Sequence, residues 1–145
     1  LDWAVHAATR ANDVSGAWPP ALDALTTTDP ALLRMQLAAG AAVVDSRWPI
    51  ATVWHAHHRD EPLDSVRAAF EAAREETALV WRDDGFVIHV EALDTADASF
   101  TAALTRGDSL VAALDAAGAG FAFDRWLARA LRSRWLIALL TPSTP

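Results

Sequence analysis

The stretch Asp83-Asp84-Gly85 constrains the fold more than any other local feature, because it separates two β-rich runs at residues 77–82 and 86–93. Asp-Gly between two such runs is a strong local signal for a β-hairpin, since the turn needs positive φ at both central residues. The sequence therefore predicts a hairpin with Asp84 and Gly85 as its two-residue turn.

The turn also sets the register of the predicted hairpin. With a two-residue turn, Trp81 faces Ile88 and Leu79 faces Val90, so these four side chains form the core face. Four other side chains share the opposite face of the hairpin: Val80, Arg82, Val87 and His89.

Three helices are predicted after the hairpin. Asp94 is placed to cap the first helix, with Asp97 in the first turn, where the helix dipole favours a negative charge. Asp108 or Ser109 caps the second helix, and Asp124 caps the third. A hairpin followed by three helices is a winged-helix-like arrangement.

The third helix carries Arg125, Arg129 and Arg132 at spacings of four and three residues, which places them on one stripe. The spacing leaves two interpretations open, a solvated outer face or a surface for an acidic partner. The inward side of this helix is apolar: Trp126, Leu127, Ala130 and Leu131.

The first half of the chain is predicted to be mainly helical. Residues 1–12 have helical spacing, and Pro49 is suited to open another helix. Asp29 looks like the cap of a helix running to Met35, although the alternating pattern there also fits a strand. Residues 64–76 form an Ala/Glu/Arg-rich surface helix or linker helix.

The sequence thus predicts an α+β fold divided into three parts. Residues 1–60 are a mainly helical region, residues 61–76 a linker or surface helix, and residues 77–145 a winged-helix-like module. Residues 135–140 either extend the third helix or return as a strand against the hairpin. Because the chain starts at Leu1 within a helical pattern, we expect it to be a fragment that lacks upstream residues.

Composition narrows the functional classes. The chain has 145 residues, 52% of them hydrophobic, and no cysteine, which excludes disulfides, thiolate metal sites and Cys nucleophiles. No apolar run approaches the length of a membrane span, so we expect a soluble, cytoplasmic protein that does not bind membranes. The net charge of −7 disfavours nucleic-acid binding.

The possible metal cluster consists of His55, His57 and His58. On a helix His55 and His58 share a face, but no carboxylate or His completes the arrangement of zinc proteases, and Asp60 and Glu61 lie beyond the expected end of the helix. Sequence motifs of serine hydrolases, nucleotide-binding loops and dinucleotide-binding folds are also missing. We therefore expect no metal, no cofactor, no catalytic residue and no enzymatic activity.

Seven tryptophans are many for this length. Trp54, Trp81 and Trp126 lie on apolar faces and are predicted to pack in the core. Trp18 and Trp48 each stand beside a proline, so we expect them to be partly exposed and to mark a surface that contacts a partner.

Three segments resemble a known family. The stretch Ser46-Arg47-Trp48-Pro49-Ile50-Ala51-Thr52-Val53-Trp54 is similar to the pattern Ser-x-Tyr/Trp-Pro-Val/Ile-x-x-Val/Ile/Leu-Trp of the HvfC/MbnC-like family. Residues 78–82 resemble the Leu-Val-Trp-Arg strand of that family. The residues Leu104, Gly107 and Leu110 fit its Leu-x-x-Gly-x-x-Leu pattern. The resemblance covers most of the chain, roughly residues 1–140.

The resemblance implies a partner role, with residues 77–145 as a winged-helix-like peptide-recognition module. It also implies an additional helical region before residue 1. Members of the family are labelled as DNA-binding proteins, and they resemble partner subunits of iron-dependent oxygenases that modify ribosomally made peptides. We therefore expect a non-catalytic subunit that forms a heterodimer with an oxygenase, whose own residues hold the metal. A precursor peptide is expected to add to the unpaired edge of the hairpin. The residues of this predicted peptide-edge strand are Val80, Arg82, Val87 and His89. The alternative is a winged-helix DNA-binding protein or transcriptional regulator, in which Arg125, Arg129 and Arg132 contact phosphates.

Overall fold

The computed structural model describes residues 1–13, 19–59 and 62–141. Within these ranges the chain has an α+β fold with seven helices and five strands. In chain order these are α1 (Asp2–Arg10), α2 (Ala24–Thr27), β1 (Arg34–Leu37), β2 (Ala42–Ser46), α3 (Ile50–His58), α4 (Leu63–Glu71), β3 (Glu76–Arg82), β4 (Ile88–Leu93), α5 (Thr95–Thr105), α6 (Leu110–Ala117), α7 (Phe123–Arg132) and β5 (Leu136–Leu140).

The larger sheet has the strand order β2-β3-β4, and both pairs are antiparallel. β3 is the central strand, since Val80 lies opposite Ala42 on β2 and opposite Val90 on β4. The predicted placement of Val80 and Arg82 on an edge strand is therefore wrong. The edge that the hairpin contributes to this sheet is β4.

The hairpin itself is confirmed, but its predicted register is wrong by one residue. Trp81 lies opposite His89, and Arg82 lies opposite Ile88. Because side chains alternate between the faces of a sheet, Trp81 and Ile88 point to opposite faces. Val80 and Arg82 likewise do not share a face with His89.

The hairpin turn explains the shifted register. The Oδ1 atom of Asp83 accepts hydrogen bonds from the amides of Gly85 and Val87, both at 2.9 Å, and the amide of Asp83 donates to the carbonyl oxygen of Val87. Phe86, rather than Asp84 or Gly85, takes the positive φ of 63°. The turn is thus longer than the predicted two residues, and Val87 lies in it.

The smaller sheet pairs β1 with β5 in antiparallel orientation. The predicted helix from Pro30 to Met35 is wrong: Asp29 accepts from the amide of Ala31, but only a turn follows before the strand begins. Residues 136–140 do return as a strand, although they pair with β1 instead of the hairpin. Both sheets therefore join strands from the two sides of the predicted 61–76 linker.

The larger sheet separates two apolar cores. One face is covered by α1 and α3, with the buried residues Ala4, Ala8, Ala51, Ala78, Val80 and Val90. On the other face Trp81 packs against Trp135, and Phe100 meets the edge of Trp126 at 4.6 Å between ring centroids. The predicted core positions of Trp81 and Trp126 are confirmed.

Gly40 is required where the β1–β2 connection passes α1. It has a φ of 66°, and a Cβ atom at this position would lie 2.3 Å from the Cα atom of Ala8. Any side chain here would push α1 away from the sheet. This close approach fixes α1 against the face that α3 also covers.

The predicted starts of two helices in the second half are confirmed. The Asp94 side chain accepts from the amide of Asp97 at 2.8 Å and caps α5, and Ser109 caps α6 through the amide of Ala112. α7 differs, because its cap residue is Ala122 and Asp124 lies in its first turn. Among the described residues, no helix has the length and apolar character needed to span a membrane.

Candidate functional site

The outer edge of β4 presents backbone groups that do not take part in the β3–β4 ladder. The amide of Asp83 donates to Val87, and hydrogen-bonded pairs alternate along an antiparallel ladder. From the register, the backbone amides and carbonyls of His89 and Glu91 are therefore directed towards β3. The amides and carbonyls of Val90 and Ala92 are directed away from it.

Two side chains donate hydrogen bonds to the carbonyl groups on this edge. The Nε2 atom of His55 on α3 donates to the carbonyl oxygen of Val90 at 2.8 Å. The Nη2 atom of Arg129 on α7 donates to that of Ala92 at 2.7 Å. These contacts protect the edge against pairing with another sheet, because an open edge is a template for aggregation.

A groove of about 520 Å³ runs along this edge, between the end of α3 and the end of α7. Trp81 and His89 stack within it, with ring centroids 4.9 Å apart and an interplanar angle of 17°. We call this feature the β4 groove. It is lined by His55, Arg59, Trp81, His89, Val90, Glu91, Ala92 and Ser133.

Arg129 joins three elements beside the β4 groove. Its Nε atom donates to Glu91 at 2.6 Å, and its Nη1 atom donates to Asp97 at 3.1 Å. Only 24% of the Arg129 side chain and 2% of the Asp97 side chain are exposed. Burial raises the pKa of the Asp97 carboxyl and the charge of Asp94 adds to this, while Arg129 and Arg125 oppose it. The cluster holds α7 against α5 and β4.

The three predicted partner-binding arginines do not form one outward stripe. Arg125 is exposed and pairs with Asp94 at 3.0 Å, and Arg132 is exposed with no salt bridge to the described residues. Arg129 instead points inward, because β4 and α5 supply acidic partners for it. The prediction that Arg129 faces outward is wrong.

The predicted peptide-edge residues are dispersed. Val80 is buried under α1 and α3. Arg82 is only 6% exposed and forms an ion pair with Asp13. Val87 lies exposed in the turn, so His89 is the one member of the predicted set that lines the β4 groove.

His89 is held in place by the hairpin turn. Its Nε2 atom lies 2.7 Å from the Oδ2 atom of Asp83. Burial of Asp83 raises the pKa of its carboxyl, but the hydrogen bond and charge of His89 and the amides of Val87 and Gly85 outweigh burial. The net effect is a pKa below the ordinary value, so Asp83 stays ionised and orients the imidazole.

The two tryptophans predicted to contact a partner fall in different parts of the chain. Trp48 is 56% exposed, and its ring centroid lies 5.8 Å from that of Phe70 on α4. Exposed paired aromatic rings of this kind are typical of contact surfaces. Trp18 lies outside the described residues.

The histidines of α3 have contacts within the protein. His55 binds the carbonyl of Val90, while His58 binds that of Trp54 at 2.9 Å and stacks on its ring. In the ranges that the structure describes, no group of three or more His, Asp or Glu side chains is arranged to hold a metal ion.

Sequence reasoning missed His55 and Arg59 as residues of the β4 groove. In the sequence His55 stands out only as a possible metal ligand, and Arg59 belongs to no motif. No local pattern connects either residue with β4, which is more than 25 residues away along the chain. The correct pairing of β4 with β3, and the position of α3 beside β4, would have been needed to identify them.

Comparison with known proteins adds no relative. No family model, curated protein or solved structure matches the chain. The resemblance to the HvfC/MbnC-like family stays a prediction that depends on its motif residues. The first motif, residues 46–54, contains Ala51 and Thr52, whose amides donate to the carboxylate of Glu76 on β3. This motif therefore has a structural role at the start of α3.

Proposed function

We propose that this chain is a non-catalytic partner subunit that binds a ribosomally made precursor peptide along the β4 groove and docks on an iron-dependent peptide-modifying oxygenase. The observation that carries the proposal is the outer edge of β4, which pairs with no other described strand and keeps the outward amides of Val90 and Ala92 within a groove between α3 and α7. The resemblance of residues 46–54 and 78–82 supports the oxygenase as the partner.

The β4 edge suits an extended peptide. The outward amides of Val90 and Ala92 are two residues apart, which is the repeat of an extended chain. Carbonyl groups of a peptide lying beside β4 can accept from these amides, as in strand addition. The carbonyls of Val90 and Ala92 are occupied by His55 and Arg129, so full pairing requires these side chains to move aside.

The oxygenase is proposed to dock on the exposed aromatic pair of Trp48 and Phe70. Large aromatic side chains contribute strongly to binding where a partner excludes water from them. In this proposal the iron and its ligands belong to the oxygenase, and this chain supplies peptide binding without a cofactor. Trp48→Ala is therefore expected to weaken the complex without changing peptide affinity.

The structure gives less support to DNA binding. Arg125 forms a salt bridge with Asp94, and Arg129 forms salt bridges with Glu91 and Asp97. A phosphate group would have to compete with these carboxylates, so the two arginines would contribute less to DNA affinity. Phosphate contacts supply much of the affinity for duplex DNA, and the net charge of −7 opposes them.

The proposal is tested by titrating the precursor peptide into the purified chain and into its complex with the oxygenase. Ala92→Pro removes one outward amide while leaving the β3–β4 ladder intact, because that amide does not pair with β3. We expect it to reduce peptide affinity by about tenfold, the effect of roughly one hydrogen bond. Ala92→Ser keeps the amide and is the matched control.

Saturable peptide binding that Ala92→Pro weakens and Ala92→Ser preserves would support the proposal. Absence of peptide binding in both the free chain and the complex would contradict it. Tight, sequence-selective binding of duplex DNA without any response to peptide would favour the DNA-binding alternative.

A further inference from the structure

We infer that the β4 groove selects an acidic peptide segment and that Arg59 is the residue that binds its carboxylate. This inference rests on the proposed function and deepens it, because it names the chemistry of the peptide. It differs from the expectation for Arg125 and Arg129 of α7, which have acidic partners within the protein.

The uncommitted polar groups that define the β4 groove are mainly hydrogen-bond donors. The acceptors of the edge are engaged, since Val90 and Ala92 accept from His55 and Arg129, and Glu91 accepts from Arg129. The outward amides of Val90 and Ala92 remain as donors. The indole Nε1 atom of buried Trp81 also has no acceptor among the described residues. A ligand that matches this surface must bring oxygen acceptors.

Arg59 adds a charge to these donors. It follows the last residue of α3, where its backbone amide donates to the carbonyl oxygen of His55. Its side chain is exposed at the rim of the groove, and its guanidinium has no hydrogen bond or salt bridge to the described part of the chain. A guanidinium presents paired N–H donors that fit a carboxylate. Arg59 can therefore bind an acidic side chain without breaking a contact seen within the protein.

The negative charge of the whole chain makes the position of Arg59 distinctive for an acidic peptide. The net charge of the chain is −7, so an acidic peptide is repelled by much of the surface. A donor-rich groove beside a guanidinium that has no partner among the described residues favours its approach there. The two-residue repeat of the outward amides matches peptide carbonyls, which is why a peptide is preferred to a nucleic acid as the source of the acceptors.

The test uses a short synthetic peptide of alternating threonine and glutamate and its counterpart with glutamine in place of glutamate. Each is titrated into the full chain, into Arg59→Glu, and into Arg10→Glu as a control, since Arg10 is exposed at the end of α1 outside the groove. Affinity is measured by calorimetry, and the amide NMR signals of Val90 and Ala92 report the site.

We expect the glutamate peptide to bind more tightly than the glutamine peptide and to shift both amide signals. Arg59→Glu should weaken it by about tenfold, while Arg10→Glu should leave it unchanged. Equal binding of the two peptides, no effect of Arg59→Glu, binding away from these amides, or failure of both peptides to bind would overturn the inference.

Failure of the inference is distinguishable from failure of the proposed function. If the natural precursor peptide binds and is sensitive to Ala92→Pro but not to Arg59→Glu, the groove binds peptide by another chemistry. If a single-stranded oligonucleotide displaces the glutamate peptide and shifts the same amides more strongly, the acceptors come from phosphate and the inference is wrong.

Discussion

Arg129 donates from Nη1 to the Oδ2 atom of Asp97 at 3.1 Å, and this contact ties α7 to α5 beside the outer edge of β4. The same guanidinium reaches the carbonyl of Ala92 through Nη2. A residue expected to face a partner is therefore part of the framework that shapes the β4 groove.

Replacement of Arg129 is expected to destabilise the fold. Arg129→Ala leaves the nearly buried carboxylate of Asp97 without its closest cation, which costs about 3 kcal/mol of unfolding free energy. Arg132→Ala, an exposed position on the same helix, should change stability by no more than about 0.5 kcal/mol. Urea denaturation of both variants checks this, and similar stabilities would show that the cluster does not stabilise the protein.

The raised pKa of Asp97 predicts a pH dependence of stability. Between its unfolded-state pKa and its higher folded-state pKa, the native protein binds more protons than the unfolded chain. The contribution of Asp97 to the unfolding free energy is therefore largest below the unfolded-state pKa and is lost as pH rises through the folded-state pKa.

Asp97→Asn removes this titration. We expect the difference in unfolding free energy between the wild type and Asp97→Asn to vary with pH across the acidic range and to become constant near neutrality. Urea unfolding at a series of pH values measures it. A difference independent of pH, or one that favours the wild type more as pH rises, is inconsistent with a raised pKa.

A buried hydrogen bond between α7 and α5 gives a third prediction. The indole Nε1 atom of Trp126 donates to the Oγ1 atom of Thr101 at 3.0 Å, and both residues are fully buried. Thr101→Val keeps the shape but leaves the indole donor without an acceptor, at a cost of about 1–3 kcal/mol. Thr105→Val, exposed on the same helix, is the control and should cost much less. Thermal unfolding of the two variants should show a lower Tm for Thr101→Val only.

Local signals predicted some elements correctly because their determinants lie within a few residues. Asp94 and Asp97 form the cap of α5 by themselves, and Ser109 needs only the next turn to cap α6. The apolar positions around Trp126 likewise follow from helical spacing alone. These features required no knowledge of the rest of the fold.

Other features depended on distant partners. The sequence of Arg34 to Leu37 fits a strand as well as a helix, and its pairing with β5 makes it a strand. The hairpin register depends on the Asp83 side chain and on the positive φ of Phe86, which the Asp-Gly rule does not anticipate. The inward direction of Arg129 is set by acids on β4 and α5. Sequence spacing placed it on a helix face but could not show what that face contacts.

Hydrogen exchange along β4 tests the central proposal most directly, because neighbouring amides provide an internal control. The amides of His89 and Glu91 are directed towards β3, whereas those of Val90 and Ala92 are directed outward. With saturating precursor peptide, the account predicts slower exchange at Val90 and Ala92 and little change at His89 and Glu91. Bound peptide that leaves Val90 and Ala92 unprotected, or that protects the outer face of α7 instead, would contradict it.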